Sequence, residues 1–175
     1  IGTLRFGSLV TEALGAVRRL RAKGAEIVVG LAHAGGKCAR WDDPKDLSSC
    51  DVGHGEAFEL LLGMPPRTFD ALVAGHTHAI IGHFVNETPV IESPGLGRFF
   101  GVMELFVDPK SRKVLADRTT IRTAIPVCDK VDRETKLCDG KALVGKAVSF
   151  EQATFLGKPV VRDAALEKLL DPALE

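Results

Sequence analysis

A short pattern that occurs twice in succession restricts the fold of this chain more than any other feature. Residues Leu9 to Lys23 carry Val10, Ala13, Leu14, Val17 and Leu20 at helical spacing, with Arg18, Arg19, Arg21 and Lys23 crowding the last turns and Gly24 as a stop. Glu26 to Leu31 follows as a nearly continuous apolar run, which predicts a strand buried on both faces, and it ends in His33-Ala-Gly-Gly36. The order then repeats. Glu56 to Leu62 is helical in pattern, Gly63-Met-Pro-Pro66 breaks it, Phe69 to Ala74 is a second apolar strand, and Gly75-His-Thr-His78 closes it. Helix, break, buried strand and polar loop in alternation predict an α/β fold whose first strands are parallel.

From about Ile80 the period shortens. The runs Ile80 to Val85, Pro89 to Glu92, Phe99 to Val107 and Val114 to Ile125 are separated by Asn86-Glu-Thr, Ser93-Pro-Gly-Leu-Gly and Asp108-Pro-Lys-Ser. Turn chemistry at that spacing predicts antiparallel strands. Cys128 to Lys141 is polar and turn-rich and reads as an exposed loop, and a last helix starts at Asp163. Hydrophobic residues at 45% and charged residues at 26% exclude a disordered or fibrous chain. Lys plus Arg and Asp plus Glu are both 23, so the net charge gives no support to nucleic-acid binding. The longest apolar stretch, Ile27 to Ala34, is too short to span a bilayer.

Open α/β sheets bind ligands beyond the carboxyl ends of their strands. His33 stands just past the first apolar strand, and His76 and His78 just past the second. If those strands are neighbours, three imidazoles reach one edge of the sheet, and imidazole is the commonest protein ligand for zinc and related ions. Gly35, Gly36 and Gly75 allow the tight turns such a site requires. His54 and His83 lack that context and read as structural or solvent-exposed residues. Arg98, after a Gly-rich turn, reads as a solvated strand-end side chain.

At this point the residues become similar to a known group. Ala25-Glu-Ile-Val-Val-Gly-Leu-Ala-His33-Ala-Gly35 resembles the His-x-Gly strand of the calcineurin-like metallophosphoesterases, and Phe69 to His78 resembles their closing Gly-His-x-His motif. Pro89 to Gly101, followed by Leu105-Phe-Val-Asp108, resembles the strand pair of the 5′-nucleotidase branch. Gly157-Lys-Pro-Val160 and the helix after it resemble that branch's linker to a separate substrate domain. The resemblance runs from about Phe6 to Leu170. It implies part of a four-layer αββα sandwich, with residues 1–125 as the C-terminal half of a metallophosphatase domain and 126–175 as a loop and linker helix. It implies two divalent ions, zinc, manganese or similar, with His33 and His76 on one and His78 on the other. The implied substrate is a small phosphate monoester, a nucleotide above all.

The superfamily also uses Asp-x-His, Gly-Asp and Asn-His-Asp/Glu motifs, and none is present in these residues. The catalytic histidine belongs to the last of them, so no catalytic residue is assigned here and this chain alone is expected to be inactive. The chain starts at Ile1, without an initiator Met or a leader, and reads as a piece whose N-terminal half and C-terminal domain lie elsewhere in the same polypeptide. Two other readings stay open: a mononuclear His₃ zinc hydrolase, and a binding or structural module without catalysis.

Four cysteines permit three pairings. Cys38–Cys50 and Cys128–Cys138 are the sequence-local choice, each stapling a polar loop, as suits an oxidising compartment. The alternative is a zinc site of Cys38, Cys50 and His54. The 5′-nucleotidase branch is commonly exported, so the resemblance implies a periplasmic or secreted protein.

Overall fold

The computed structural model describes residues 2, 3, 5, 7–138 and 148–174. It divides into two compact units, Ile1–Ile125 and Pro126–Glu175. Residues 139–141 of the expected polar loop, and Phe6 at the start of the family-like stretch, lie outside the described residues.

In the first unit α1 spans Leu9–Ala22 and is capped by the Ser8 hydroxyl, which accepts from the Thr11 N–H at 3.4 Å. Gly24 takes φ +91° just beyond it, the left-handed stop that glycine permits. Arg21 in its last turn pairs with the Asp70 carboxylate, and Asp70 also accepts the Val28 N–H at 2.8 Å. One acid thus joins the end of α1 to the starts of two strands. These strands, β1 (Val29–Leu31) and β2 (Ala71–Val73), are parallel neighbours with Leu31 opposite Val73. Between them α2 (Glu56–Leu62) buries Ala57, Phe58, Leu60 and Leu61.

A hairpin of β3 (Ile81–Val85) and β4 (Thr88–Glu92) completes the sheet. Its turn holds Asn86 and Glu87 at φ 48° and 64°, the left-handed pair of a two-residue hairpin. The Asn86 amide donates to Leu61 O and Met64 O at 2.8 and 2.9 Å, satisfying carbonyls at the end of α2. The strand order is β1-β2-β4-β3, with β4 parallel to β2 and antiparallel to β3. Val17, Phe58, Leu61, Leu72, Ile81, Val85 and Val90 form the core.

Two expectations change. The first apolar run is not a strand buried on both faces: only Val29–Leu31 is extended, and Leu31 is 81% exposed. Val29 and Leu31 share one face of the strand while Gly30 faces the other, and on that face Val73 of the neighbouring strand is exposed too, so among the described residues nothing packs over this end of the sheet. The later runs also do not make one antiparallel sheet. The β3–β4 hairpin joins the parallel strands, while β5 (Phe99–Glu104) and β6 (Thr120–Pro126) pair in a separate two-stranded sheet. The structure is therefore α/β with mixed strands in small sheets.

In the second unit β7 (Lys130–Asp132) pairs antiparallel with β8 (Phe150–Gln152), so the expected loop contains a strand. β9 (Thr154–Phe155) and β10 (Lys158–Pro159) form a tight hairpin, and α3 spans Ala164–Leu174. Both sequence-local disulfides are present, Cys38–Cys50 and Cys128–Cys138. Among the described residues no helix is long and apolar enough to cross a membrane.

Candidate functional site

Because β1 and β2 are parallel and in register, the loops that leave them emerge on the same edge. The backbone continues their ladder outward: Ala32 N–H donates to Val73 O at 3.0 Å and Gly75 N–H to Ala34 O at 3.3 Å. This brings His33 and His76 together. His76 Nδ1 and His33 Nε2 are 3.0 Å apart, with ring centroids at 4.7 Å and planes inclined by 58°. Both side chains are exposed. At this distance one ring donates a hydrogen bond to the other, and the separation is also close to the roughly 3.3 Å between two imidazole nitrogens on one tetrahedral zinc.

The loop that carries His76 is held in an unfavourable shape. His76 and His78 have φ of 90° and 53°, in the left-handed region where a side-chain-bearing residue costs about 1–3 kcal/mol. Thr77 between them supplies the restraint. Its Oγ1 lies 2.7 Å from Gly36 O and 2.8 Å from Glu92 Oε1, so its one proton is shared between two acceptors. Glu92, at the end of β4, is 1% exposed, and its Oε2 accepts the Gly36 N–H at 3.3 Å. One buried carboxylate therefore holds both histidine loops. Gly35 makes this possible: a Cβ there would lie 2.4 Å from Gly75 O and 2.6 Å from Glu92 Oε2.

His78 is exposed and does not join the pair. Its ring lies so close to Gly95 that a Cβ at that glycine would be 2.8 Å from His78 Nδ1. His54 is exposed in the turn that its N–H closes onto Asp51 O at 2.9 Å. Arg98 is exposed just before β5. Among the described residues, one set of three His, Cys, Asp or Glu donors has all its ligand atoms within 4.8 Å: Cys38, Cys50 and His83. With Cys38 and Cys50 joined as a disulfide, the alternative zinc site of Cys38, Cys50 and His54 is not formed, and the imidazole beside the two sulfurs is that of His83 and not His54. His83 takes that place because the Phe84 N–H donates to Pro44 O at 2.8 Å and docks β3 against the Cys38–Cys50 loop.

Sequence reasoning passed over Glu92 and Thr77 as functional residues. The signal available was an acid closing an otherwise apolar strand. Its meaning depends on β4 lying beside β2, where residue 92 stands level with the histidine loops.

Burial pushes the His83 imidazole below the ordinary value of 6.5, against a smaller opposing pull from Asp46, Asp43 and Asp42. The unfolded chain therefore takes up this proton at a higher pH than the folded one. The resulting stability is present above about pH 6.5 and is lost as pH falls through the folded value. Urea midpoints of the oxidised protein measured between pH 7.5 and pH 5 should fall, and His83→Gln should flatten that dependence relative to the unsubstituted chain. Parallel slopes would remove His83 as a source of it.

No protein-family model matches this chain, and no curated protein matches it either.

Proposed function

We propose that this chain carries part of the metal centre of a calcineurin-like metallophosphoesterase of the 5′-nucleotidase type, an exported phosphomonoester hydrolase acting on nucleotides. The observation that carries this reading is the 3.0 Å meeting of His33 and His76 at the carboxyl edge of two parallel strands. His33 and His76 would hold one divalent ion and His78, set apart from them, would serve a second. That separation favours a two-ion arrangement over a mononuclear His₃ site. When bound, such ions supply Lewis-acid stabilisation and a water of lowered pKa. The chain's own part is to fix two imidazole nitrogens at ligand spacing, through the Thr77–Glu92 clamp, on a solvent-accessible edge.

Two neutral imidazoles bring no negative charge to a dication. The carboxylates that complete the centre would come from residues that supply Asp-x-His, Gly-Asp and Asn-His-Asp/Glu. The open flank of the sheet is where such residues would be carried. β1 has one strand neighbour among those described, Val29 and Leu31 are 45% and 81% exposed, and an apolar cleft of about 610 Å³ lies between α1 and β1. A four-layer sandwich and a periplasmic or secreted location belong to the same proposal. The two disulfides agree with that location.

The test is hydrolysis of p-nitrophenyl phosphate with manganese or zinc. The chain alone should show no turnover above the metal control, and a polypeptide supplying the three motifs in trans should restore it. Turnover by the chain alone, lost equally in His33→Ala, His76→Ala and His78→Ala, would establish a mononuclear site instead. Metal binding with no restoration would favour a non-catalytic module.

A further inference from the structure

The Cys38, Cys50 and His83 cluster is separate from the histidine edge and does not depend on the function proposed above. Cys38 and Cys50 face each other in an isolated antiparallel bridge and are joined as a disulfide. His83, on β3, is 0% exposed. Its Nδ1 accepts the Gly82 N–H at 3.2 Å, and its Nε2 points at Cys50 Sγ from 4.0 Å. A fully buried imidazole normally engages both ring nitrogens with strong partners. Here one of them has a sulfur atom at the outer limit of contact.

Two sulfurs and an imidazole are donors that select zinc and other soft or borderline ions over calcium and magnesium. Their charges also suit the place. Two thiolates neutralise a divalent ion, so the loaded site would carry no net charge into a buried region. We propose that Cys38, Cys50 and His83 form a redox-gated zinc site, closed as a disulfide under oxidising conditions and binding one zinc ion when the cysteines are reduced. In the first step two equivalents of a thiol reductant are oxidised to their disulfide. The Cys38–Cys50 bond takes up the two electrons and two protons and breaks into two thiols. Zinc then displaces both thiol protons and bonds to Sγ of each cysteine and to Nε2 of the neutral His83 ring. The ring proton moves to Nδ1, which then meets the Gly82 N–H as donor to donor, so that hydrogen bond is lost and the ring turns away from Gly82 as the metal bond forms.

The probe is cobalt(II), followed optically in a Cys128→Ser/Cys138→Ser form of the full chain, so that no other thiols contribute. After reduction the protein should develop thiolate-to-cobalt charge-transfer absorption that saturates at one ion per chain and is displaced by zinc. The oxidised protein should show none. His83→Ala should weaken binding at least about tenfold, and His33→Ala should leave it unchanged. X-ray absorption of the reduced zinc form, with His83 intact, should show two sulfurs and an imidazole, which keeps the test independent of how well His83→Ala folds. Reduced protein without the charge-transfer band, or zinc bound by sulfur with no imidazole, would overturn the proposal.

Discussion

Gly35→Ala is expected to lower the stability of the first unit by about 3 kcal/mol or more and to abolish metal binding at the histidine edge. The new methyl group would lie 2.4 Å from Gly75 O and 2.6 Å from both Glu92 Oε2 and Thr77 Oγ1. None of these is the free end of a flexible side chain. Gly75 is tied to Ala34 by its N–H, Glu92 is fully buried, and Thr77 is held by Gly36 O and Glu92. The methyl must therefore separate the two loops, which breaks the polar clamp as well as overpacking the space. Urea denaturation followed by circular dichroism should show a lower midpoint with an unchanged slope. A loss under about 0.5 kcal/mol would mean that the two loops are not packed as described.

The second large effect is expected at Glu92. Glu92→Ala leaves the Gly36 N–H without its buried acceptor, reduces the Thr77 hydroxyl to its bond with Gly36 O, and opens a void, at a combined cost of about 2–4 kcal/mol. Glu92→Gln retains one carbonyl oxygen and turns a donor towards the other contact, so its cost should be about half as large. The consequence reaches the histidines. With the clamp reduced to the Thr77–Gly36 hydrogen bond, the left-handed conformations of His76 and His78 lose part of the restraint that sustains them, and zinc affinity should fall about 10-fold or more in the alanine variant. The glutamine variant should recover part of that loss. Equal zinc affinity in the unsubstituted protein and Glu92→Ala, measured well below the unfolding temperature, would reduce Glu92 to a structural acid.

The meeting of His33 and His76 could be anticipated because it follows from local features. Two apolar runs, each preceded by a helix and followed by glycine and histidine, give parallel neighbours, and parallel neighbours place their exits on one edge. The sequence-local pairing of the cysteines was anticipated for a similar reason, since each pair flanks one polar segment. What escaped depends on sheet order and on which face of the sheet is covered. Val29 and Leu31 look like core residues in a continuous apolar run, and what exposes them is that the sheet face they share with Val73 is not covered among the described residues. Glu92 and His83 were obscured by the same event, the insertion of β4 between β2 and β3. It raises Glu92 to the level of the histidine loops. It also leaves β3 on the far edge, where Phe84 meets Pro44 and His83 turns towards Cys50. Such non-local pairings leave no periodicity in the chain, and His54, nearer in sequence to the cysteines, was the misleading alternative.

The central claim is that His33 and His76 hold one divalent ion between them. It is tested most directly by zinc titration of the oxidised, ¹⁵N-labelled protein with the imidazole resonances as the readout. His33 and His76 should shift together, along a single curve that saturates at one equivalent, and replacing either with alanine should abolish the response of the other. Separate binding curves for the two rings, or a response at His54 while both stay unmoved, would contradict the claim.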